Sequence, residues 1–176
     1  AVAGRARWVH IDDEALADHV ATLPTDDLVA PTLEPGDLPA GEGDHRIAWV
    51  LTVNAVNFGS GFFPVLAKRS GLSGSMTVFA ALRERFDRRG PLTVDELRGA
   101  TAAGCAELFG QDPTGPAAEL MAWFATAWQG LGEALAERWA TSFDALVEDA
   151  SGSAVALAEL LATVPGWDDV ATHDGE

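Results

Sequence analysis

Apolar residues along this chain recur mainly at spacings of three and four, and glycine or proline cuts the pattern into segments of helical length. A short stretch, RWVHIDD, precedes a predicted helix from Asp12 or Asp13 to Ala21, with acids at its positive end and Pro24 as its stop. Thr25 to Gly43 has almost no periodicity and reads as a loop or embedded linker. Ile47, Val50, Leu51 and Phe58 then define a helix expected to start at an Asp44 N-cap and run to about Phe58, where Gly59 and Gly61 break it. After a loop around Lys68 to Gly74, Ser75 is the expected cap of a helix whose apolar face is Val78, Phe79, Leu82 and Phe86. Gly90-Pro91 ends it. Thr93 and Glu96 form a capping box for the next helix, TVDELRGATAAG. Beyond a loop from Gly110 to Pro116 comes the longest pattern, in which Leu120, Trp123, Phe124, Ala127, Leu131 and Leu135 make a broad stripe. Two further helices are expected, Ser142 to about Asp149 and Ser153 to Val164, the second closed by Pro165-Gly166. Six or seven helices with short connections predict an all-α, multi-helix domain.

Composition narrows this in two ways. The 176 residues suit one domain, or part of one, with a sizeable core. Ala, Leu and Val dominate the apolar 48% and there is no Tyr, which favours helix over sheet. The net charge of -16, from 11 Lys and Arg against 27 Asp and Glu, offers no general surface for polymeric nucleic acid, so the expected ligand is a small molecule. A single phosphate needs only one or two local cations. One cysteine, Cys105, forms no internal disulfide, and no segment approaches the roughly 20 apolar residues of a membrane span. A cytoplasmic protein with no membrane partner is expected, and its oligomeric state is left open.

Catalytic signatures such as G-x-S-x-G, the P-loop and H-E-x-x-H are missing. His10, His19, His45 and His173 lack ligand spacing, so no metal and no cofactor are expected. Cys105 reads as a small core residue, and Trp123, Trp128 and Trp139, expected on one long helix, are explained by packing. Arg83, Arg85, Arg88 and Arg89 are suited to grip one phosphate or to pair with the many acids. The unusual feature is Asn54, Asn57 and Phe58 followed by Gly59-Ser60-Gly61-Phe62-Phe63. Amides beside aromatic rings are what a planar heterocycle needs, edge-reading from the first and stacking from the second. Helix capping and a hydrophobic turn are the alternative.

The pieces VHID, WVLTVNAVNF, SGSMTVFAALRERF, LTVDELR and TSFDALVEDASGSAVALAELLATVPGWDDV occur in the order found in queuosine salvage proteins, the queuosine 5′-phosphate N-glycosylase/hydrolase family, which this chain resembles from Trp8 onward. The resemblance implies a helical fold related to helix-hairpin-helix DNA glycosylases and hydrolytic release of the 7-deazaguanine base queuine from queuosine 5′-phosphate. It also implies substrate-binding positions at Asn57, Phe58, Ser73 and Gly74, to which the glycine-aromatic segment adds Phe62. Ser75 and Met76 stand where the family has an aromatic pair. The family's Phe-Tyr-Lys-Arg-Ala element and catalytic aspartates are expected downstream of Glu176. Residues 1–176 are thus expected to be a single helical domain or the N-terminal part of a longer one, and a non-catalytic nucleotide-binding or protein-interaction module is the alternative function.

Overall fold

A computed structural model describes Trp8, residues 10–25 and residues 43–167. The Pro- and Gly-rich stretch from Thr25 to Gly43 lies outside these residues except at its two ends. Every regular element among them is helical. The chain divides into two compact units, Ala1–Glu34 and Pro35–Glu176.

The first unit contains α1, Asp13–Thr22. Asp12 is its N-cap and accepts a hydrogen bond from the Ala15 N–H at 2.9 Å, which satisfies one of the free donors of the first turn. Its apolar residues Leu16 and Val20 are exposed.

The second unit holds α2 (Asp44–Asn54), a 3-10 helix (Ser60–Val65), α3 (Gly74–Arg89), α4 (Val94–Arg98), α5 (Ala102–Phe109), α6 (Ala118–Arg138), α7 (Phe143–Asp149) and α8 (Ala154–Leu161). The long α6 is the axis of the core: Leu120, Met121, Phe124, Leu131 and Leu135 are fully buried on it, and α4 and α5 pack along it. The shorter helices close round that axis, α3 against α5, the 3-10 helix against α3, and α2 against α7.

Several boundaries differ from expectation for local reasons. Helix α2 ends at Asn54 and not near Phe58, because the chain tightens into i to i+3 bonds from the Val56 N–H to the Val53 carbonyl and from Asn57 to Asn54. Asp44 is the first helical residue after Gly43 and does not cap its own helix; its Oδ1 accepts from the Asp144 N–H at 3.1 Å and steadies the start of α7. Ser73, two residues before the expected Ser75, caps α3 by accepting from the Met76 N–H. The segment TVDELRGATAAG forms two helices, since Thr101 caps α5 anew after α4 stops at Arg98. Trp139 is the C-cap of α6, one residue beyond it. The last helix ends at Leu161, with Ala162 to Val164 in a turn.

Polar groups inside the core are all partnered among the described residues. The Trp128 indole donates to the Thr52 carbonyl at 3.0 Å, joining α6 to α2. Gln111 accepts from the Ala67 N–H and donates to the Ala67 and Phe109 carbonyls, so one buried amide fastens the loop ahead of α3 to the end of α5.

Candidate functional site

The C-terminal end of α2, the middle of α6 and the turn that follows Val164 enclose a cleft of about 650 Å³ lined by Asn54, Ala55, Phe58, Gly59, Trp123, Thr126, Ala127, Gly166 and Trp167. Its volume falls in the range of small-molecule sites. Phe58, 37% exposed, stands edge-on to the fully buried Phe124, with ring centroids 5.2 Å apart. Trp123 is 43% exposed and is braced from behind by Phe62, again edge-on at 5.2 Å. Trp167 forms a further wall, its indole N–H bonded to the Ala127 carbonyl at 3.3 Å.

Two glycines let the Phe58 and Trp167 walls close on α6. Gly59 adopts φ 79, a left-handed conformation that side chains disfavour, and a Cβ there would lie 2.4 Å from Leu120 Cδ1. At Gly130 a Cβ would come within 1.9 Å of the Pro165 carbonyl oxygen, so only a bare α-carbon lets the Pro165-Gly166-Trp167 turn lie on the helix. Val164, fully buried, anchors that turn.

Polar capacity in the cleft comes from neutral groups. Asn54 donates one N–H to the Val50 carbonyl at 2.8 Å and accepts from the Asn57 amide at 3.3 Å. That leaves it one donor and one acceptor. The Thr126 hydroxyl donates to the Ala122 carbonyl. None of the nine lining residues is ionisable.

The positions singled out in the sequence distribute around this cleft unequally. Phe58 lines it, Asn57 touches it through Asn54, and Phe62 supports Trp123 from behind. Ser73 and Gly74 do not line it. They begin α3, where Gly74 is buried so tightly against Phe63 that an added Cβ would meet the Phe63 Cβ and Cγ at 2.6 Å. Both tryptophans of the cleft escaped the sequence reading. Packing accounts for Trp128 and for Trp139, whose indole donates to Asp149, but Trp123 sits at the edge of the apolar stripe and turns half its surface outward. Only the placement of Trp167 after Pro165-Gly166 hinted that it stands at a turn.

A second cleft, of about 580 Å³, lies at the opposite end of α2 and has Asp44, His45, Arg89, Thr93, Asp95 and Phe143 among its lining. The arginines of α3 are mostly engaged: Arg83 with Asp87, Arg85 with Glu96 and the Gly90 carbonyl, and Arg88 with Glu84, which also meets Arg69. Burial alone would raise the Glu96 carboxyl, but the Thr93 backbone N–H and the Arg85 guanidinium outweigh it and hold that group below its ordinary value. Burial pushes the Cys105 thiol up to about 12, which suits a core residue and not a nucleophile.

Among the described residues no group of three or more His, Cys, Asp or Glu is arranged to hold a metal ion, and no helix is long and apolar enough to cross a membrane. Comparison with curated proteins gives no match. The family model for queuosine salvage protein matches residues 38–176, a span that contains the whole aromatic cleft and every site position drawn from the sequence. The chain belongs to the queuosine salvage protein family.

Proposed function

We propose that the protein acts in the hydrolysis of the N-glycosidic bond of queuosine 5′-phosphate, and that the aromatic cleft holds the 7-deazaguanine base that leaves as queuine. The observation that carries this reading is the cleft itself, lined by the partly exposed Phe58 and Trp123 together with Asn54 inside the family-matched region. Rings to stack and an amide with one donor and one acceptor to spare suit a planar lactam base. The ligand is a small nucleotide and not a polymer, consistent with the acidic balance of the chain.

Breaking an N-glycosidic bond builds positive charge on the ribose, which a facing carboxylate stabilises while water replaces the base. Among the described residues no acid lines the cleft, so in this reading the carboxylate comes from outside its nine lining residues. The same lack of an acid favours a second reading, a module that binds the nucleotide without cleaving it.

Incubation with queuosine 5′-phosphate, with free queuine followed by mass spectrometry, separates the two. The assay is run on this chain and on the longest reading frame that contains it. Release by the longer protein alone assigns the carboxylate beyond Glu176, and release by this chain assigns it within. Binding without release by either form overturns the hydrolase and leaves the module.

A further inference from the structure

We infer that a further cleft, between α3 and α5, is a binding site for one compact oxyanion, a phosphate group above all. It shares no lining residue with the aromatic cleft, so it stands or falls independently of the base-binding reading.

Cations are unevenly spread along the chain. Six of its 11 Lys and Arg lie between Lys68 and Arg89, in a protein of net charge -16. Arg88 and Arg89 stand three and four residues after Arg85 on α3, and all three line a cleft of about 370 Å³ whose other side includes Gly104, Glu107 and Leu108 of α5. Their existing bonds leave most of their donors over. Arg85 has only 10% of its side chain exposed, and it gives one N–H to the Gly90 carbonyl at 2.9 Å and one to Glu96 at 2.5 Å, two of the five that a guanidinium carries. Arg88 gives one to Glu84, a carboxylate that Arg69 also holds. Arg89 has no partner among the described residues. A nearly buried guanidinium with donors to spare, beside two exposed ones, suits a tetrahedral oxyanion: each fork supplies paired N–H groups, and partial burial reduces the screening that weakens surface charges. Glu107, also without a partner among the described residues, works against the anion and holds the affinity down. The volume lies at the low end for small-molecule sites and fits a free phosphate or the phosphate end of a larger molecule.

Calorimetric titration of the full 176-residue chain with inorganic phosphate, at a constant ionic strength of about 0.1 M, tests this. One saturable site is expected. Arg88→Ala and Arg89→Ala, both at exposed positions, should each weaken it by about tenfold, and Glu107→Gln should tighten it by about threefold. Arg138→Ala, on α6, should change it by less than about twofold. Ribose 5-phosphate separates the two sources of the ligand: affinity equal to that of inorganic phosphate or higher assigns the site to a phosphate ester, and lower affinity assigns it to the free ion. Absence of saturable phosphate binding, or binding that the Arg88 and Arg89 substitutions leave unchanged, overturns the inference.

Discussion

The two ends of α2 carry clefts of similar size and opposite chemistry. At the N-terminal end, Asp44, His45, Arg89 and Asp95 surround a charged depression; at the C-terminal end, Phe58, Trp123 and Trp167 surround one with no ionisable group among the described residues. Charge alone would point to the first. Yet there Asp44 is occupied in holding the start of α7, and Thr93 is bonded within its own capping box. At the second, Phe58 and the Trp167 turn are set against α6, beside its own Trp123, by notches at Gly59 and Gly130, and Asn54 keeps spare hydrogen-bonding capacity. Surface that stays apolar at the cost of tight backbone fits is the better mark of recognition in this molecule.

The sharpest way to break the contrast is Trp123→Ala. Loss of a stacking face worth about 1–3 kcal/mol should weaken queuine binding by about 5- to 150-fold in calorimetric titration. Because more than half of the side chain is covered and packs on Phe62, the thermal midpoint should also fall, so binding is read at a temperature where the variant remains folded. Gly130→Ala is next. Its methyl would overlap the Pro165 carbonyl, and the resulting shift should cost about 1–3 kcal/mol in chemical denaturation and loosen the Trp167 wall, seen as weaker queuine binding. At the charged end, Thr93→Ala removes a cap worth about 1 kcal/mol and should lower stability without changing the affinity for base.

That end should also answer to pH. The folded-state value of Glu96 is depressed, so its stabilising contribution is fully present above the ordinary carboxylate range and is lost as pH falls through the lowered value. Glu96→Gln should flatten this part of the acid limb of stability, measured by denaturant midpoint against pH. The smallest effect is expected from Arg89→Ala, which should leave the queuine dissociation constant unchanged. A tenfold loss there would move recognition to the wrong end of α2.

Much of this architecture was legible in the sequence because it is local. The capping box of Thr93 and Glu96, the stripe on α6 apart from Trp123, and the Gly90-Pro91 stop are each set within a few residues, and each stands where expected. The errors were local competitions of nearly equal choices, Ser73 against Ser75 as a cap, or an α-helical against a 3-10 continuation after Asn54. The site was legible only in part. Phe58 and its neighbouring amides announced themselves as misfits on an apolar helix, but Trp167 reaches the cleft through a turn 40 residues along the chain from the Ala127 carbonyl it bonds. Nothing in the spacing of Trp123 distinguished it from Trp128, since both lie on α6 and only the packing of α2 and the final turn leaves one of them half-exposed.

The central claim, that the base sits between the tryptophans of the aromatic cleft, is tested most directly by following the indole N–H resonances of the labelled chain while queuine is added. The account predicts that the Trp123 and Trp167 signals shift together and saturate, while those of Trp49, Trp128 and Trp139, held in the core, stay in place. Saturable binding that leaves both cleft signals unmoved would contradict it.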